Sequence, residues 1–391
     1  MDMDILKEVE KVEEEIIGIR RKIHMHPELG FEEVKTSELV YEYLKSLGFE
    51  VKRLAKTGVV GLLKGEGERT IAIRADMDAL PIQEENEVEY ASKIPGKMHA
   101  CGHDVHTAIL LGTAKVLSRI KNVKGNVKFI FQPAEETTGG ALPMIEEGVL
   151  EGPRVDAIIG LHVDPDLEVG QIGITYGKAY ASSDMFDVII KGRSSHGAEP
   201  HKGIDALVIA ANVISALQTF ASRKTSPFTP IVVTIGTIKG GYARNIIADR
   251  VEMSGIIRMM EEERREEIVE SVEKMCKDIA KAYGGDAEFR RVKGYPLLIN
   301  NKGFTDLVKK SASMILGEEN VLEVSPSMGV EDFAYFLQRV PGTFYKLGCG
   351  NKEKGIDKPL HSSRFDVDER CIKVGIAVHV MTVLNYFEGK Y

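Results

Sequence analysis

Eight consecutive residues, His99-Ala100-Cys101-Gly102-His103-Asp104-Val105-His106, hold three histidines, one cysteine and one aspartate. Such a density of nitrogen, sulfur and carboxylate donors suits a metal centre better than a solvated loop. More donors follow apolar runs: Asp76-Met77-Asp78 after 71–74, Gln132-Pro133-Ala134-Glu135-Glu136 after 127–131, and His162 after 156–161. Far along the chain, Leu360-His361-Ser362-Ser363-Arg364-Phe365-Asp366 adds a histidine in a loop. Taken singly, a histidine after a strand or a Glu-Glu pair reads as an ordinary core or solvent-facing residue. Open α/β sheets build their sites at the carboxyl ends of strands. Three strand ends that each deliver His, Cys or Glu to one edge are most economically explained by a common metal site. Adjacent glutamates suit such a site, because one can ligate while its neighbour takes a proton from the attacking water.

Other chemistries lack their signatures. There is no G-x-S-x-G, H-E-x-x-H, G-x-x-x-x-G-K-[ST], or helix-opening G-x-G-x-x-G. No second Cys or His pair stands at zinc-finger spacing. A rival enzyme reading makes Cys101 a thiol nucleophile with a nearby histidine. No oxyanion-hole motif accompanies Cys101, and that reading predicts activity that survives chelation and is lost on alkylation. Fifty-one basic against 59 acidic residues give a net charge of −8, which disfavours a nucleic-acid binder. The most apolar stretch, 206–221, is interrupted by Asn212, Ser215, Gln218 and Thr219, short of the about 18 apolar residues of a span. No basic-then-apolar leader opens the chain, and the four cysteines form no disulfide framework. The expectation is a cytoplasmic, reduced protein without membrane or nucleic-acid partners.

The elements that must position these residues follow from periodicity. A chain of 391 residues exceeds what one core usually serves, so two or three domains are expected. The first 50 residues read as two helices broken at His26-Pro27, with Ile5, Val9, Val12 and Ile16 at helical spacing. Strands at 59–63, 71–75, 127–131 and 156–161, with a crossover helix at about 107–120, predict an α/β layer. Between about 180 and 293 the pattern becomes strand 185–190, helix 204–223, strands 231–238 and 251–258, helix 262–283 and strand 287–292. That order is the ferredoxin-like β-α-β-β-α-β unit. Helices near 303–316, 332–339 and 371–387 then resume the first pattern. The reading is a catalytic α/β domain formed by 1–179 and 294–391 and split by an inserted α+β domain, 180–293.

The segments R-A-D-M-D-A-L-P, H-A-C-G-H-D, F-Q-P-A-E-E, G-L-H-V, G-R-S-S-H-G-A-E-P-H, G-G-Y-A-R-N-I-I-A-D and L-H-S-S-R-F-D carry a specific resemblance over essentially the whole chain. They resemble the aminoacylase, hippurate hydrolase and auxin-conjugate hydrolase branch of the two-metal amidohydrolase-carboxypeptidase family. The resemblance implies a mixed-sheet catalytic domain of the zinc-exopeptidase type with an inserted lid and dimerisation domain. It implies metal ligands at Cys101, His103, Glu136, His162 and His361, and Glu135 as general base. His196 would stabilise the oxyanion, from a neighbouring subunit or from its own lid. Asn245 and Arg258 would hold the substrate carboxylate or the tetrahedral intermediate, and Gly329 belongs to a loop lining the pocket.

Many members carry His-x-Asp where this chain has Asp76 and Asp78, so a Cys-Gly-His element replaces that ligand. Asp78, counted with the catalytic set, then orients a ligand. Asp76 reads either as functional or as a strand-end turn residue. The thiolate favours Zn²⁺ or Co²⁺, with Mn²⁺ or Ni²⁺ also used by relatives, at up to two ions per chain. His24 and His26 read as structural or as supports to a ligand, His106 and His379 as structural, and Cys276, Cys349 and Cys371 as buried or incidental. The implied activity is hydrolysis of N-acyl-L-amino acids or short peptides by a homodimer or larger homo-oligomer. A non-catalytic metal-binding relative would lack the base or the lid histidine, whereas Glu135 and His196 are both present.

Overall fold

The computed structural model describes residues 5–120 and 122–389. The chain forms two compact units. One is Met1–Gly177 with Ile299–Ser325 and Asp332–Tyr391; the other is Lys178–Leu298 with Pro326–Glu331.

The first unit is built on an eight-stranded mixed sheet. Its order is Glu50–Leu54, Gly58–Leu63, Asn126–Gln132, Thr70–Asp76, Ala157–Glu168, Gly342–Gly350, Ile172–Ile174 and Val321–Glu323. The four central strands, from Asn126–Gln132 to Gly342–Gly350, run parallel, and every residue of Thr70–Asp76 is buried. Burial on both faces explains why these strands read as continuous apolar runs. Helices Ile5–His24, His103–Arg119 and Arg370–Phe387 pack on one another. Val9, Val12 and Ile16 join Val105, Ile109 and Ile376 in the core. The helices meet closely at Gly112, where a Cβ would stand 2.4 Å from Ile376 Cδ1.

Several sequence expectations are corrected. The strand expected to end before His162 continues to Glu168, because Gly342–Gly350 pairs with it in parallel register from Ile158 to Asp164. The strand Gly342–Gly350 itself was not anticipated. The helix expected over 332–339 is a single turn, Ala334–Leu337.

The second unit carries a four-stranded antiparallel sheet. Its order is Ile231–Gly240, Arg250–Met259, Ser182–Lys191, Asp286–Lys293. Helices Ala206–Leu217 and Arg265–Ala282 complete the β-α-β-β-α-β order. Asp205 caps the first of these by accepting the N–H groups of Leu207 and Val208. Ala206–Lys224 is the one helical segment among the described residues long and apolar enough to cross a membrane by length and composition. Its Ile209, Val213, Leu217 and Phe220 lie in this unit's core. The expected helix 204–223 breaks after Leu217 into a π-helical turn, Phe220–Lys224. There the Thr219 and Thr225 hydroxyls donate to the carbonyls of Ala216 and Phe220, diverting the backbone pattern.

Candidate metal centre

The strand Thr70–Asp76 pairs with Ala157–Glu168 only as far as Arg74 and Gly160. Beyond that point the neighbours separate, and Asp76, Asp78 and His162 stand around the gap. Cys101 and His103 flank the helix start. Gly102 between them has φ +82°, and a Cβ there would lie 2.4 Å from Val163 Cγ2, so this position requires glycine. His361 joins through its N–H, which donates to the Ala100 carbonyl at 2.8 Å. Its φ of +65° is uncommon for a non-glycine residue.

The five expected ligands converge. Cys101 Sγ lies 3.4 Å from His162 Nε2, and His361 Nε2 lies 3.1 Å from Glu136 Oε1. His103 Nε2 lies 3.9 Å from the same Glu136 oxygen. Donor atoms of Cys101, His103 and His162 fall within 4.8 Å of one another, as do those of Cys101, Glu136 and His361. Glu135, buried beside them, forms a further such group with His103 and Glu136. The ring nitrogens are already sorted for ligation. His162 Nδ1 is 2.7 Å from the Val163 carbonyl and donates to it, leaving the Nε2 lone pair towards Cys101. His103 Nδ1 is 3.2 Å from Asp78 Oδ1, while its buried Nε2 has no hydrogen-bond partner. A histidine whose outer N–H is fixed by a carbonyl or carboxylate and whose inner nitrogen is unmatched fits a metal ligand.

The electrostatics point the same way. Burial, then Glu136 and Glu135, push the Cys101 thiol well above its ordinary range; a thiolate there requires a cation beside it. Burial holds His162 down at about 3, so it is a neutral donor. Burial opposes charge on His103, but Asp76, Asp78 and Glu136 outweigh it and lift the ring to about 10. Burial also opposes charge on Glu136, yet the bond from His361 and the His103 charge bring it to about 2. Buried carboxylates that hold His103 as an imidazolium suit a cation in place of its proton.

Asp78 accepts the backbone N–H groups of Glu135 at 3.0 Å and Glu136 at 2.9 Å as well as facing His103. It thereby fixes the backbone of the Glu135–Glu136 pair and the ring of His103. Asp76 is buried, with Oδ1 2.6 Å from His106 Nδ1 and Oδ2 2.7 Å from Arg74 Nη1. His106 Nε2 in turn accepts the Val163 N–H at 2.9 Å, next to the expected ligand His162. Sequence reasoning left Asp76 open and set His106 aside, since only the fold brings residue 163 to residue 106.

The other expected residues belong to the second unit. His196 pairs with Ile246, and the Asn245 carbonyl accepts the Gly197 N–H at 2.7 Å, so His196 and Asn245 share one corner. Arg258 Nη1 donates to the Met328 carbonyl at 2.9 Å, placing it beside the segment that holds Gly329. Its buried Nε has no partner, and no ion pair to a carboxylate engages it among the described residues. Burial alone lowers its pKa.

A cluster of thiol, imidazole and carboxylate donors with an adjacent buried glutamate, enclosed except around the exposed His361, is the site of a metal-dependent hydrolase. The description of peptidase family M20/M25/M40 matches residues 72–385, and the chain belongs to that family. It is 41% identical over 386 residues to thermostable carboxypeptidase 2 of Saccharolobus solfataricus, covering 97% of each chain. It is 46% identical over 301 residues to an N-acyl-L-amino acid amidohydrolase of Geobacillus stearothermophilus, covering 76% of this chain and 81% of that one. Among solved structures it matches a dinuclear metal-binding peptidase of the M20 family from Bacillus subtilis. The TM-score is 0.85 at 36% identity, over 97% of this chain and 99% of the other. The protein is a hydrolase, and family and donor set together make a divalent metal its cofactor.

Proposed function

We propose that the protein hydrolyses the amide joining an acyl or aminoacyl group to a C-terminal amino acid. The observation that carries this reading is the convergence of Cys101, His103, Glu136, His162 and His361 beside a buried Glu135. Bound to those five residues, up to two divalent cations, zinc before cobalt, manganese or nickel, would polarise the scissile carbonyl and acidify water. Glu135 takes the proton of the attacking water and delivers it to the leaving amine. Asp78 keeps Glu135 and Glu136 in place through their amides. Arg258, a guanidinium without an acidic partner, receives the free carboxylate of the substrate, and Asn245 assists. Gly329 belongs to a loop that lines the pocket. His196 stabilises the oxyanion from a neighbouring subunit, which makes the second unit both lid and dimerisation module.

The thiol-nucleophile reading finds no support in the site. Burial, with Glu136 and Glu135 beside it, holds the Cys101 thiol protonated, and the His162 imidazole 3.4 Å away is held neutral by burial.

Elemental analysis paired with hydrolysis of N-acetyl-methionine and N-benzoyl-glycine tests the proposal. The expected result is one to two metals per chain, as in two-metal sites, with turnover that is lost on chelation and restored by Zn²⁺, Co²⁺ or Mn²⁺. Turnover untouched by chelation, or no metal uptake after reconstitution, overturns it.

A further inference from the structure

The segment that carries Glu135 and Glu136 is irregular, yet buried carboxylates fasten it along its length. Asp78 takes the amides of Glu135 and Glu136. Asp332 takes the Ala141 N–H at 3.0 Å and both its oxygens face Gln132 Nε2, at 2.9 and 2.8 Å. The remaining tether comes from outside every metal-site motif. Glu33, fully buried, stands ahead of the helix Val34–Ser46. One of its oxygens accepts the Ala134 N–H at 2.8 Å, and the other accepts the Thr57 hydroxyl at 2.7 Å.

Ala134 needs that hold. Its φ is +57°, a left-handed conformation that costs a non-glycine residue about 1 kcal/mol or more and persists only where surroundings enforce it. The same surroundings pack tightly: a Cβ on Gly30 would lie 2.4 Å from Thr137 Oγ1 and 3.0 Å from Ala134 Cα. A carboxylate is an expensive acceptor here, since burial, with the Asp78 charge nearby, raises Glu33 to about 7.

We infer that Glu33 is a positioning residue for the general base: its reach across to the Ala134 amide sets the left-handed turn that aims Glu135. The inference rests on the amidohydrolase reading for what Glu135 does, though not for the tether itself. What matters is an acceptor at the end of a four-atom arm, not its charge. Glutamine keeps that arm, offering its oxygen to Ala134 and its amide hydrogens to Thr57. Aspartate keeps the charge and falls one methylene short.

Glu33→Gln and Glu33→Asp therefore separate reach from charge. Two readouts are taken: steady-state hydrolysis of N-acetyl-methionine by the metal-loaded enzyme, and amide hydrogen exchange of segment 132–136 in the metal-free protein. Glu33→Gln should keep kcat within about threefold, while Glu33→Asp lowers kcat by roughly 10–100-fold with KM and metal content little changed. In the metal-free protein, the Ala134 amide should exchange at least about tenfold faster in Glu33→Asp than in wild type, and near wild-type rate in Glu33→Gln. Retention of kcat by Glu33→Asp, its loss in Glu33→Gln, or unchanged Ala134 exchange in Glu33→Asp overturns the assignment. A wild-type enzyme that turns over no acyl-amino acid would instead sink the functional reading, and the exchange measurement would still decide the tether.

Discussion

Cys101 Sγ and His162 Nε2 stand 3.4 Å apart and, with the His162 Nδ1 proton committed to the Val163 carbonyl, present a sulfur and a lone pair to one point. Replacing the sulfur by oxygen in Cys101→Ser should weaken Zn²⁺ binding by about 100-fold and Mn²⁺ binding by much less, because soft ligands select the softer ion. Titration calorimetry of the metal-free protein checks this. Because the metal-free thiol is held protonated, Zn²⁺ uptake should also release a proton in wild type that is absent in Cys101→Ser. Equal losses for both ions would remove sulfur from the ligand set.

Asp78 serves three groups at once: two backbone amides and the outer nitrogen of His103. In Asp78→Ala those buried donors lose their acceptor at a cost of roughly 2–4 kcal/mol of stability. Turnover should fall by at least about 100-fold, since the Glu135–Glu136 backbone and the His103 ring lose their anchor. Thermal unfolding of the metal-free protein and kinetics of the reconstituted enzyme measure the two effects separately. A variant that is destabilised yet fully active would limit Asp78 to a folding role.

Arg20 Nε and Asp104 Oδ2 form a fully buried pair at 2.7 Å, and His24 Nδ1 faces the same oxygen at 2.8 Å. Burial opposes charge on Asp104, but Arg20 and then His24 hold its pKa far below the usual range. A carboxyl depressed on folding adds stability above its unfolded pKa of about 3.9, and that stability is withdrawn as pH falls below it. Urea unfolding of metal-free wild type and Asp104→Asn should therefore differ by about 3 kcal/mol at pH 7. The gap should narrow steadily between pH 5 and pH 3. A gap independent of pH would mean that packing, not the ion pair, accounts for it.

Most of the candidate donors that converge in the fold were legible as donors because Asp76, Asp78, Glu135, Glu136 and His162 follow apolar runs and Cys101 and His103 lie in one dense segment. His361 stood out only through the family resemblance. The second unit was legible for a similar reason: Ser182–Lys191 alternates between buried and more exposed residues, and its connecting helices are amphipathic. What escaped was set by long-range pairing. The strand Gly342–Gly350 follows Pro341 and has glycines at both ends. Its place beside Ala157–Glu168 depends on a partner some 180 residues earlier. That pairing carries the earlier strand past His162, which no local pattern announces. Glu33 and His106 act through backbone groups at 134 and 163, and such contacts leave no motif.

Arg258 has a fixed partner for Nη1 in the Met328 carbonyl and none for its buried Nε. If that guanidinium receives the substrate carboxylate, Arg258→Ala should raise KM for N-acetyl-methionine by roughly 30-fold or more, with a smaller effect on kcat. Arg258→Lys should recover little, because a point charge cannot make the bidentate contact. The matching amide, N-acetyl-methioninamide, should be a poor substrate for wild type and no poorer for the variants. Equal losses on both substrates would move Arg258 from carboxylate recognition to shaping the loop around Gly329.

His196 and Glu135 belong to different compact units, and neither variant alone should retain turnover if each supplies one part of a site. Glu135→Ala removes the proposed base and His196→Ala the proposed oxyanion donor. When the two inactive proteins are mixed under conditions that exchange subunits, a dimer with sites shared between chains assembles one intact site in each heterodimer. Random exchange makes half the dimers mixed, so activity should return to about a quarter of wild type. A chain that supplies its own histidine leaves every site in the mixture short of one group. Complete inactivity after verified subunit exchange would therefore place His196 in its own chain's site, and partial recovery near the expected fraction would fix the dimer as the catalytic unit.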